Sequence, residues 1–412
     1  MILAGGRGKR LQPLTLHRSK PAVPFGGTYR IIDFVLSNFV NSGVKAIYVL
    51  TQFKSQSLTE HLHRAWAGTN LRPGNFIIPV PAQMQTAGAV WYDGTADAIC
   101  QNLNLVRETA PDLVCVFGGD HIYFMDVSEM LREHIRREAE VTIAAIPVPR
   151  AEAARLGVIE AESSGRVRGF HEKVAEPPGM PGDPDRCYAS MGNYVFDPAV
   201  LVEILEEDAA DAASTHDFGK DILPRMVGNL RAVYAYDFET NQLPGRDEAP
   251  NTYWRDVGTL DAYYDANLDL KEAVPQLDLY NPDWPINTVG TNAAPTKFAQ
   301  DGDGNPGEAV QSVLGAGTIV SGGRITNSVV GRNVRVRGGA EIEDSVINDG
   351  VTIGPACRVR RAIVDKEVTL PAETTVGFDA DADRGRGWWV TESGITVVPK
   401  SPVVRPVTTL DL

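Results

Sequence analysis

Short apolar runs alternate with helical patterns along the first part of the chain, to about residue 270. The runs at 46–50, 113–118 and 141–148 are rich in β-branched residues, which is typical of strands buried in a parallel sheet. Helical periodicity lies between them, over 56–66, 95–109 and 126–138. This alternation predicts a doubly wound, mostly parallel α/β sheet over residues 1–274, with ligands bound at the carboxyl ends of its strands.

A change of composition and then a repeat mark the second part of the chain. Residues 275–312 are rich in Pro, Gly, Asn and Asp, which predicts a linker. The segments 325–341, 342–358 and 359–375 then repeat, with an apolar residue at positions 1, 6 and 12 of each unit. These residues are Ile325, Val330 and Val336, then Ile342, Ile347 and Ile353, then Val359, Val364 and Leu370. The spacing predicts a parallel β-helix over 313–412, of about four coils, which must pack on the first domain or on a partner subunit.

Composition narrows the class of protein. A chain of 412 residues with 43% hydrophobic and 22% charged residues predicts a soluble protein of two or three domains. Its net charge of −14 argues against a nucleic-acid or membrane surface, since both require excess positive charge. The absence of a signal peptide, of a long apolar run and of metal-ligand spacing among the four cysteines predicts a cytoplasmic protein with free thiols.

The chain opens with a glycine-rich basic loop in an otherwise acidic protein. Residues Gly5 to Arg10 read GGRGKR and follow a short apolar run, so they are predicted to leave a strand. The first acidic residue is Asp33, and every charged residue before it is a cation. The loop fits neither the dinucleotide-binding nor the P-loop pattern of glycines. Two interpretations stay open for the loop alone: a local anion site, or a tight surface turn with solvated charges.

Motifs along nearly the whole chain carry a family resemblance. They read LAGGRGKRL, SKPAVPFGG, RIIDF, WYDGTADA, GDHIY, FHEK, ASMGNYVF, STHDFGKDILP and YWRDVGTLDAYYDANLDL. In this order they resemble the sugar-nucleotide pyrophosphorylases, and among these the ADP-glucose pyrophosphorylases. The resemblance implies a nucleotidyltransferase domain followed by a short left-handed parallel β-helix. It also implies a homotetramer that makes ADP-glucose and pyrophosphate from ATP and glucose 1-phosphate, for glycogen synthesis.

The chemistry of that reaction agrees with the residues at the start of the chain. A phosphate oxygen of the sugar phosphate attacks the α-phosphorus, so the protein has to align two anions and neutralise the developing charge. Gly5, Gly6, Arg7 and Lys20 suit the triphosphate and the departing pyrophosphate, and Arg10 is a weaker candidate for the same role.

The resemblance also implies a magnesium site. Asp120 and Asp256 match the metal-binding aspartates of the family. Polyphosphate charge is commonly bridged by Mg²⁺ held on one or two carboxylates. A lone aspartate at the end of a strand is more often a turn former or helix cap, so the assignment depends on both motifs together.

The remaining substrate contacts come from the same resemblance. The family pattern places Tyr92, Gly157, Glu172, Lys173 and Ser190 around glucose 1-phosphate. Lys173 can pair with the sugar phosphate, and Glu172 can accept hydrogen bonds from sugar hydroxyls. Tyr92 and Ser190 can hydrogen-bond the ring substituents. Gln83 matches the residue expected to contact the adenine.

Members of the family are controlled by anionic metabolites bound between the two domains. The corresponding cations and histidine here are His17, Arg18, Arg30, Arg361 and Lys366. Fructose 6-phosphate, fructose 1,6-bisphosphate and pyruvate are all candidate activators.

Three rival functions are weighed on the sequence. UTP or dTTP could replace ATP as the donor. Acetyl transfer on the β-helix would require more coils and usually a catalytic histidine, but no histidine follows His216. A non-catalytic regulatory subunit would be expected to lack Lys20 or the metal aspartates, and this chain has all of them.

Overall fold

The computed structural model describes residues 1–68, 74–83, 91–246 and 252–400. Its α-helices are α1 (Ile31–Asn41), α2 (Gln56–Trp66), α3 (Thr95–Cys100), α4 (Leu103–Thr109), α5 (Val127–Arg136), α6 (Arg150–Ala153), α7 (Pro198–Ala209), α8 (Leu223–Gly228), α9 (Leu260–Asp269) and α10 (Ala380–Gly385). Within these ranges, every helix is too short or too polar to cross a membrane.

The strands of the first domain precede residue 256. They are β1 (Ile2–Leu3), β2 (Pro24–Phe25), β3 (Tyr29–Arg30), β4 (Ala46–Thr51), β5 (Phe76–Pro81), β6 (Val114–Gly118), β7 (Ile122–Tyr123), β8 (Val141–Pro149), β9 (Gly157–Ala161), β10 (Val167–Glu172), β11 (Arg186–Phe196), β12 (Val233–Asp237) and β13 (Trp254–Arg255). The predicted runs at 46–50, 113–118 and 141–148 correspond to β4, β6 and β8.

Nine of these strands form one mixed sheet. Its order is β10-β9-β11-β6-β1-β4-β5, with β8 beside β11 and β12 outside β8. All of its strands run in one direction except β10 and the long strand β11, which is antiparallel to β6, β8 and β9. The mostly parallel sheet that the sequence predicts is therefore confirmed, with β11 as an antiparallel insertion.

Helices cover both faces of the sheet. Successive side chains along a strand point to opposite faces of the sheet. Val116 of β6 therefore packs into one apolar core with α3, α7 and α8, and its neighbour Phe117 packs into a second core with α1, α2 and α5. The helical segment predicted at 95–109 is interrupted between α3 and α4. There the buried Asn102 amide donates hydrogen bonds to the Ala98 carbonyl and the Tyr92 hydroxyl.

The second domain is a parallel β-helix. Its strands are β14 (Lys297–Ala299), β15 (Glu308–Val310), β16 (Val313–Leu314), β17 (Ile319–Ser321), β18 (Arg324–Thr326), β19 (Val329–Val330), β20 (Arg335–Val336), β21 (Glu341–Glu343), β22 (Val346–Ile347), β23 (Thr352–Ile353), β24 (Arg358–Arg360), β25 (Ala362–Val364), β26 (Thr369–Leu370), β27 (Thr375–Val376), β28 (Trp389–Val390) and β29 (Thr396–Val398). They form three sheets, of five, five and six strands.

The 17-residue repeat sets the register of the coils. Ile325 pairs with Ile342, and Ile342 pairs with Val359 in the next coil. The apolar residues at positions 6 and 12 stack in the same way in the other two sheets, and all nine repeat residues are buried. Two strands, β14 and β15, lie inside the predicted linker 275–312 and already pair with the coils that follow. The boundary between the domains stays a prediction.

The β-helix packs on the first domain through a shared apolar cluster. Its members include Leu11, Leu14, Phe25 and Tyr263 from the first domain and Val329, Val346, Ile363 and Val397 from the β-helix. Backbones also approach closely here. A Cβ added to Gly27, which has a φ of +72°, would lie 2.8 Å from the Val330 carbonyl oxygen. The turn between β2 and β3 therefore requires glycine for both its conformation and its contact.

Candidate active site

The glycine-rich loop leaves β1 at the carboxyl edge of the sheet. Gly8 adopts a left-handed φ of 56°, and its carbonyl accepts a hydrogen bond from the Thr15 hydroxyl at 2.9 Å. Within the described residues, the backbone N–H groups of Gly5, Gly6 and Arg7 donate no hydrogen bond to the protein. The Arg7 side chain is exposed beside them. Unpaired N–H groups next to a cation form a concavity suited to phosphate oxygens.

A buried lysine joins two aspartates at the centre of the site. Nζ of Lys20 lies 3.0 Å from Oδ2 of Asp120 and 2.7 Å from Oδ1 of Asp256. Asp120 follows β6, whereas Asp256 follows β13, which pairs with β7, the strand that begins two residues after Asp120. This short antiparallel ladder brings together carboxylates that are far apart in the chain.

Neighbouring charges fix the ionisation of Lys20 and Asp120. Burial alone would lower the pKa of Lys20, but the two carboxylates outweigh it and raise that pKa above its ordinary value. Burial alone would raise the pKa of Asp120, but Lys20 and His121 outweigh it and hold that pKa at about 2. Lys20 is therefore an ammonium and Asp120 a carboxylate at neutral pH.

The same residues fit a divalent cation. One ligand atom each from Asp120, His121 and Asp256 lies within 4.8 Å of the others. Carboxylate oxygens are the donors that Mg²⁺ prefers, and the low pKa of Asp120 keeps that donor ionised. The position of Lys20 between the carboxylates shows that this point of the cleft already favours positive charge.

One cleft of about 1010 Å³ contains most of the predicted site. Its walls include Gly5, Gly6, Arg7, Lys20, Tyr92, Asp120, Gly157, Glu172, Lys173, Ser190 and Asp256. Gln83 is absent from its described walls and is exposed just beyond the end of β5. The contact of Gln83 with adenine stays a prediction.

The far half of the cleft is polar and closely packed. Lys173 has a left-handed φ of 53° and forms an ion pair with Glu172, which its side chain contacts directly. Burial raises the pKa of the Tyr92 hydroxyl, which accepts a hydrogen bond from Asn102 at 3.0 Å. Tyr92 is therefore a neutral hydrogen-bonding group at the edge of this half of the cleft.

Comparison with known proteins agrees with both domains. A family model described as nucleotidyl transferase matches residues 1–273, and one described as GlmU-like, C-terminal hexapeptide matches residues 294–398. A glucose-1-phosphate adenylyltransferase of Thermus thermophilus is 54% identical over 403 residues, covering 97% of each chain. Those of Deinococcus deserti and Frankia casuarinae are each 50% identical, over 404 and 405 residues and at least 97% of each chain. The chain belongs to the glucose-1-phosphate adenylyltransferase family.

The adenylyltransferase cleft also contains residues that the motifs alone did not single out. Its walls include Gln52, His121, Arg155, Asp217 and Trp254. His121 and Asp217 lie within the quoted motifs GDHIY and STHDFGKDILP, so their sequence context contained a signal. Arg155 and Gln52 lie outside the quoted motifs and are found only from the fold.

The predicted effector residues do not form a single group. Arg18, Arg30 and Lys366 lie close enough to influence one another's charge. Burial and the Arg18 charge lower the pKa of Arg30 to about 10, and burial with both arginines lowers the pKa of Lys366 to about 8. Arg361 lies at the opposite end of β25 and donates to the Ser393 carbonyl at 3.2 Å, and His17 is exposed on its loop.

Replacing Gly157 with alanine is expected to weaken binding in the far half of the cleft. The added Cβ would lie 2.9 Å from both Oε2 of Glu172 and Cζ of Phe170, so Glu172 must shift. We expect a higher KM for glucose 1-phosphate and little change in KM for ATP, measured by steady-state kinetics. Gly228→Ala is the matched control, because its Cβ would meet nothing within 4 Å. Equal effects of the two substitutions would contradict the assignment of Gly157.

Proposed function

We propose that the protein transfers the adenylyl group of ATP to glucose 1-phosphate, releasing pyrophosphate and forming ADP-glucose for glycogen synthesis. The observation that carries this proposal is the Lys20 ammonium between Asp120 and Asp256, in one cleft with the glycine loop and the predicted sugar residues. That arrangement suits a reaction in which both substrates are anions and no covalent intermediate with the protein is needed.

The near half of the cleft is proposed to bind the triphosphate. The N–H groups of Gly5 and Gly6 would donate to phosphate oxygens, and the exposed Arg7 would neutralise the departing pyrophosphate. Lys20 would turn from the aspartates toward the phosphates when substrate charge arrives. The two carboxylates raise the pKa of Lys20 in the free protein, so it would enter this exchange as an ammonium.

A magnesium ion is proposed to share this half of the cleft, held by Asp120 and Asp256. When bound, the ion supplies positive charge that offsets the negative charge of the polyphosphate. The two aspartates come from separate segments joined by the β7–β13 ladder, so their separation is set by the fold rather than by a flexible loop.

The far half of the cleft is proposed to bind the sugar phosphate. Lys173 would exchange its contact with Glu172 for the phosphate, leaving Glu172 to accept from sugar hydroxyls. Tyr92 and Ser190 would hydrogen-bond the ring, and Gln83 would contact the adenine. The attacking phosphate oxygen then lies between Lys173 and the triphosphate, on the path to the α-phosphorus.

One experiment separates this function from the closest alternative. Pyrophosphate release is measured with glucose 1-phosphate and each of ATP, UTP, dTTP, GTP and CTP at equal concentration. We expect ATP to give the highest kcat/KM. A preference for UTP or dTTP would keep the reaction class and overturn the choice of base.

Assembly and control are proposed at the level of the family. We propose a homotetramer in the cytoplasm whose activity responds to small anionic metabolites bound between the domains. Arg30 and Lys366 are the best-placed cations for such an anion, since burial and mutual repulsion lower the pKa of each. An anion there would relieve that repulsion.

Removing either aspartate should severely reduce turnover. Asp120→Asn and Asp256→Asn each weaken the metal site and leave Lys20 short of one partner, so kcat should fall by about two orders of magnitude or more. Initial rates at increasing Mg²⁺ test this, with Asp112→Asn as the control because Asp112 is exposed and is not among the residues that line the cleft. Near-normal turnover of both variants at saturating Mg²⁺ would contradict the metal assignment.

Replacing Lys173 with glutamine should chiefly affect glucose 1-phosphate. A hydrogen bond to a charged group contributes about 1.5–3 kcal/mol when buried. The Lys173 side chain is 60% exposed, so solvent screening favours the lower end, about a tenfold rise in KM. The KM for ATP should change far less. Lys220→Gln removes an exposed cation outside the cleft walls and should leave both KM values unchanged.

Control by anions should depend on Lys366 and on pH. Lys366→Gln is expected to raise the effector concentration needed for half-maximal response, and Lys297→Gln, an exposed lysine on β14, should not. The free protein has Lys366 with a pKa of about 8. Above that pH, anion binding must take up a proton, so apparent affinity should fall as pH rises through about 8. A response independent of both the substitution and pH would move the effector site elsewhere.

A further inference from the structure

We infer that Asp365, on the β-helix, is a positioning residue for Lys20 in the active site, and that it acts through Arg18. The inference rests on the proposed function, because Lys20 is the group whose position matters. It assigns to the second domain a direct part in the basal reaction, one that requires no bound effector.

Arg18 of the first domain and Asp365 of the β-helix form a bidentate ion pair. Nη1 and Nη2 of Arg18 donate to the two carboxylate oxygens of Asp365 at 2.8 and 3.0 Å. Both side chains are almost fully buried, at 3% and 2% exposure. A bidentate pair fixes the orientation of the guanidinium as well as its distance. Arg18 is therefore held at one place against the β-helix.

The carboxylate of Asp365 is itself held rigidly. Asp365 follows β25, and its backbone N–H donates to the Val398 carbonyl at 2.9 Å, extending the β25–β29 ladder. The N–H of Lys366 donates to Oδ1 of Asp365 at 2.8 Å. The position of the carboxylate is thus set by the coils of the β-helix rather than by a free rotamer.

Arg18 and Lys20 are joined by a short, constrained piece of chain. Ser19 lies between them and is buried, and Pro21 follows Lys20. A tight turn begins there: the N–H of Ala22 donates to the Ser19 carbonyl and that of Val23 to the Lys20 carbonyl, each at 3.0 Å. Two residues span about 7 Å at most, so a shift of Arg18 is passed to Lys20.

The Arg18 guanidinium needs the Asp365 carboxylate to stay in its place, because other cations lie near it. Arg18 is close enough to Arg30 and Lys366 to lower the pKa of both. Without the Asp365 carboxylate, the Arg18 guanidinium would be buried, unpaired and repelled by these neighbours. It would move, and the turn at Ser19 would move with it.

Adhesion between the domains does not require this pair. The apolar cluster that contains Phe25, Tyr263 and Ile363 already joins them. A buried ion pair often contributes no more stability than apolar side chains of the same volume, because both charges lose their hydration. The ion pair contributes position rather than stability, because it fixes where the segment from Arg18 to Lys20 lies.

The test is a mutant cycle on turnover. A displacement of about 1 Å at a catalytic group can lower the rate as much as a hundredfold, so Asp365→Asn and Arg18→Gln should each reduce kcat by about ten- to a hundredfold. In the Lys20→Gln background, where residual turnover is the reference, Asp365→Asn should reduce kcat by less than about twofold. An equal reduction in both backgrounds would show that Asp365 does not act through Lys20, and would overturn the inference.

A control variant separates positioning from loss of the interface. Tyr264 donates to the Asp344 carbonyl of the β-helix at 2.5 Å and, within the described residues, makes no hydrogen bond to Arg18, Ser19 or Lys20, so Tyr264→Phe removes an interdomain hydrogen bond and leaves those of the Arg18 segment in place. It should retain wild-type kcat. A reduction like that of Asp365→Asn would mean that any loosening of the interface lowers turnover, and would overturn the inference.

A second pair of substitutions covers failure of the single variants to fold. Arg18→Met combined with Asp365→Leu removes both charges and keeps apolar volume at the interface. The double variant should fold, with a melting temperature near that of the wild type, and still show the reduced kcat. Wild-type turnover in this variant would overturn the inference. Failure of the wild-type protein to make ADP-glucose would instead overturn the proposed function.

Discussion

The position of Lys20 between Asp120 and Asp256 is the contact on which the active site depends. Burial opposes the charged forms of Lys20 and Asp120, so each would be unfavourable here without an opposite charge beside it. Together Lys20 and Asp120 stay ionised, and with Asp256 they hold three distant segments of chain at one point. The phosphates and the divalent cation proposed to bind here could replace these partners without leaving Lys20 as an unpaired buried charge.

This charged centre places strict demands on the backbone around it. A Cβ on Gly8 would lie 3.1 Å from the Lys20 Cβ, and a Cβ on Gly258 would lie 3.0 Å from the Asp256 carboxylate. Glycine at these positions lets the loops close over the charged centre, and Gly5 and Gly6, whose N–H groups donate no hydrogen bond within the described residues, line the cleft on the same loop. The proposed anion site therefore requires both the glycine backbone of these loops and the charged side chains beside it.

Much of this could be predicted from the sequence, for reasons that differ between the domains. The coils of the β-helix follow from local spacing, so Ile325, Ile342 and Val359 stack as their repeat positions require. The predicted site residues come from family motifs, and most of them line one cleft. The partner of Arg18 could not be predicted. Its pairing with Asp365 joins residues 347 positions apart, and it depends on how the two domains pack.

The same pair changes how the domain junction is understood. Sequence resemblance groups Arg18 with the cations expected to bind an anion, yet its guanidinium already has both of its outer nitrogens on a buried carboxylate. Lys366, one residue beyond that carboxylate, has a depressed pKa and forms no ion pair within the described part of the chain. An anion at the junction would therefore meet Lys366 and Arg30 first. By offsetting their repulsion of Arg18, it would reinforce the contact that positions Lys20, so the proposed metabolite control and the basal reaction would share one physical element.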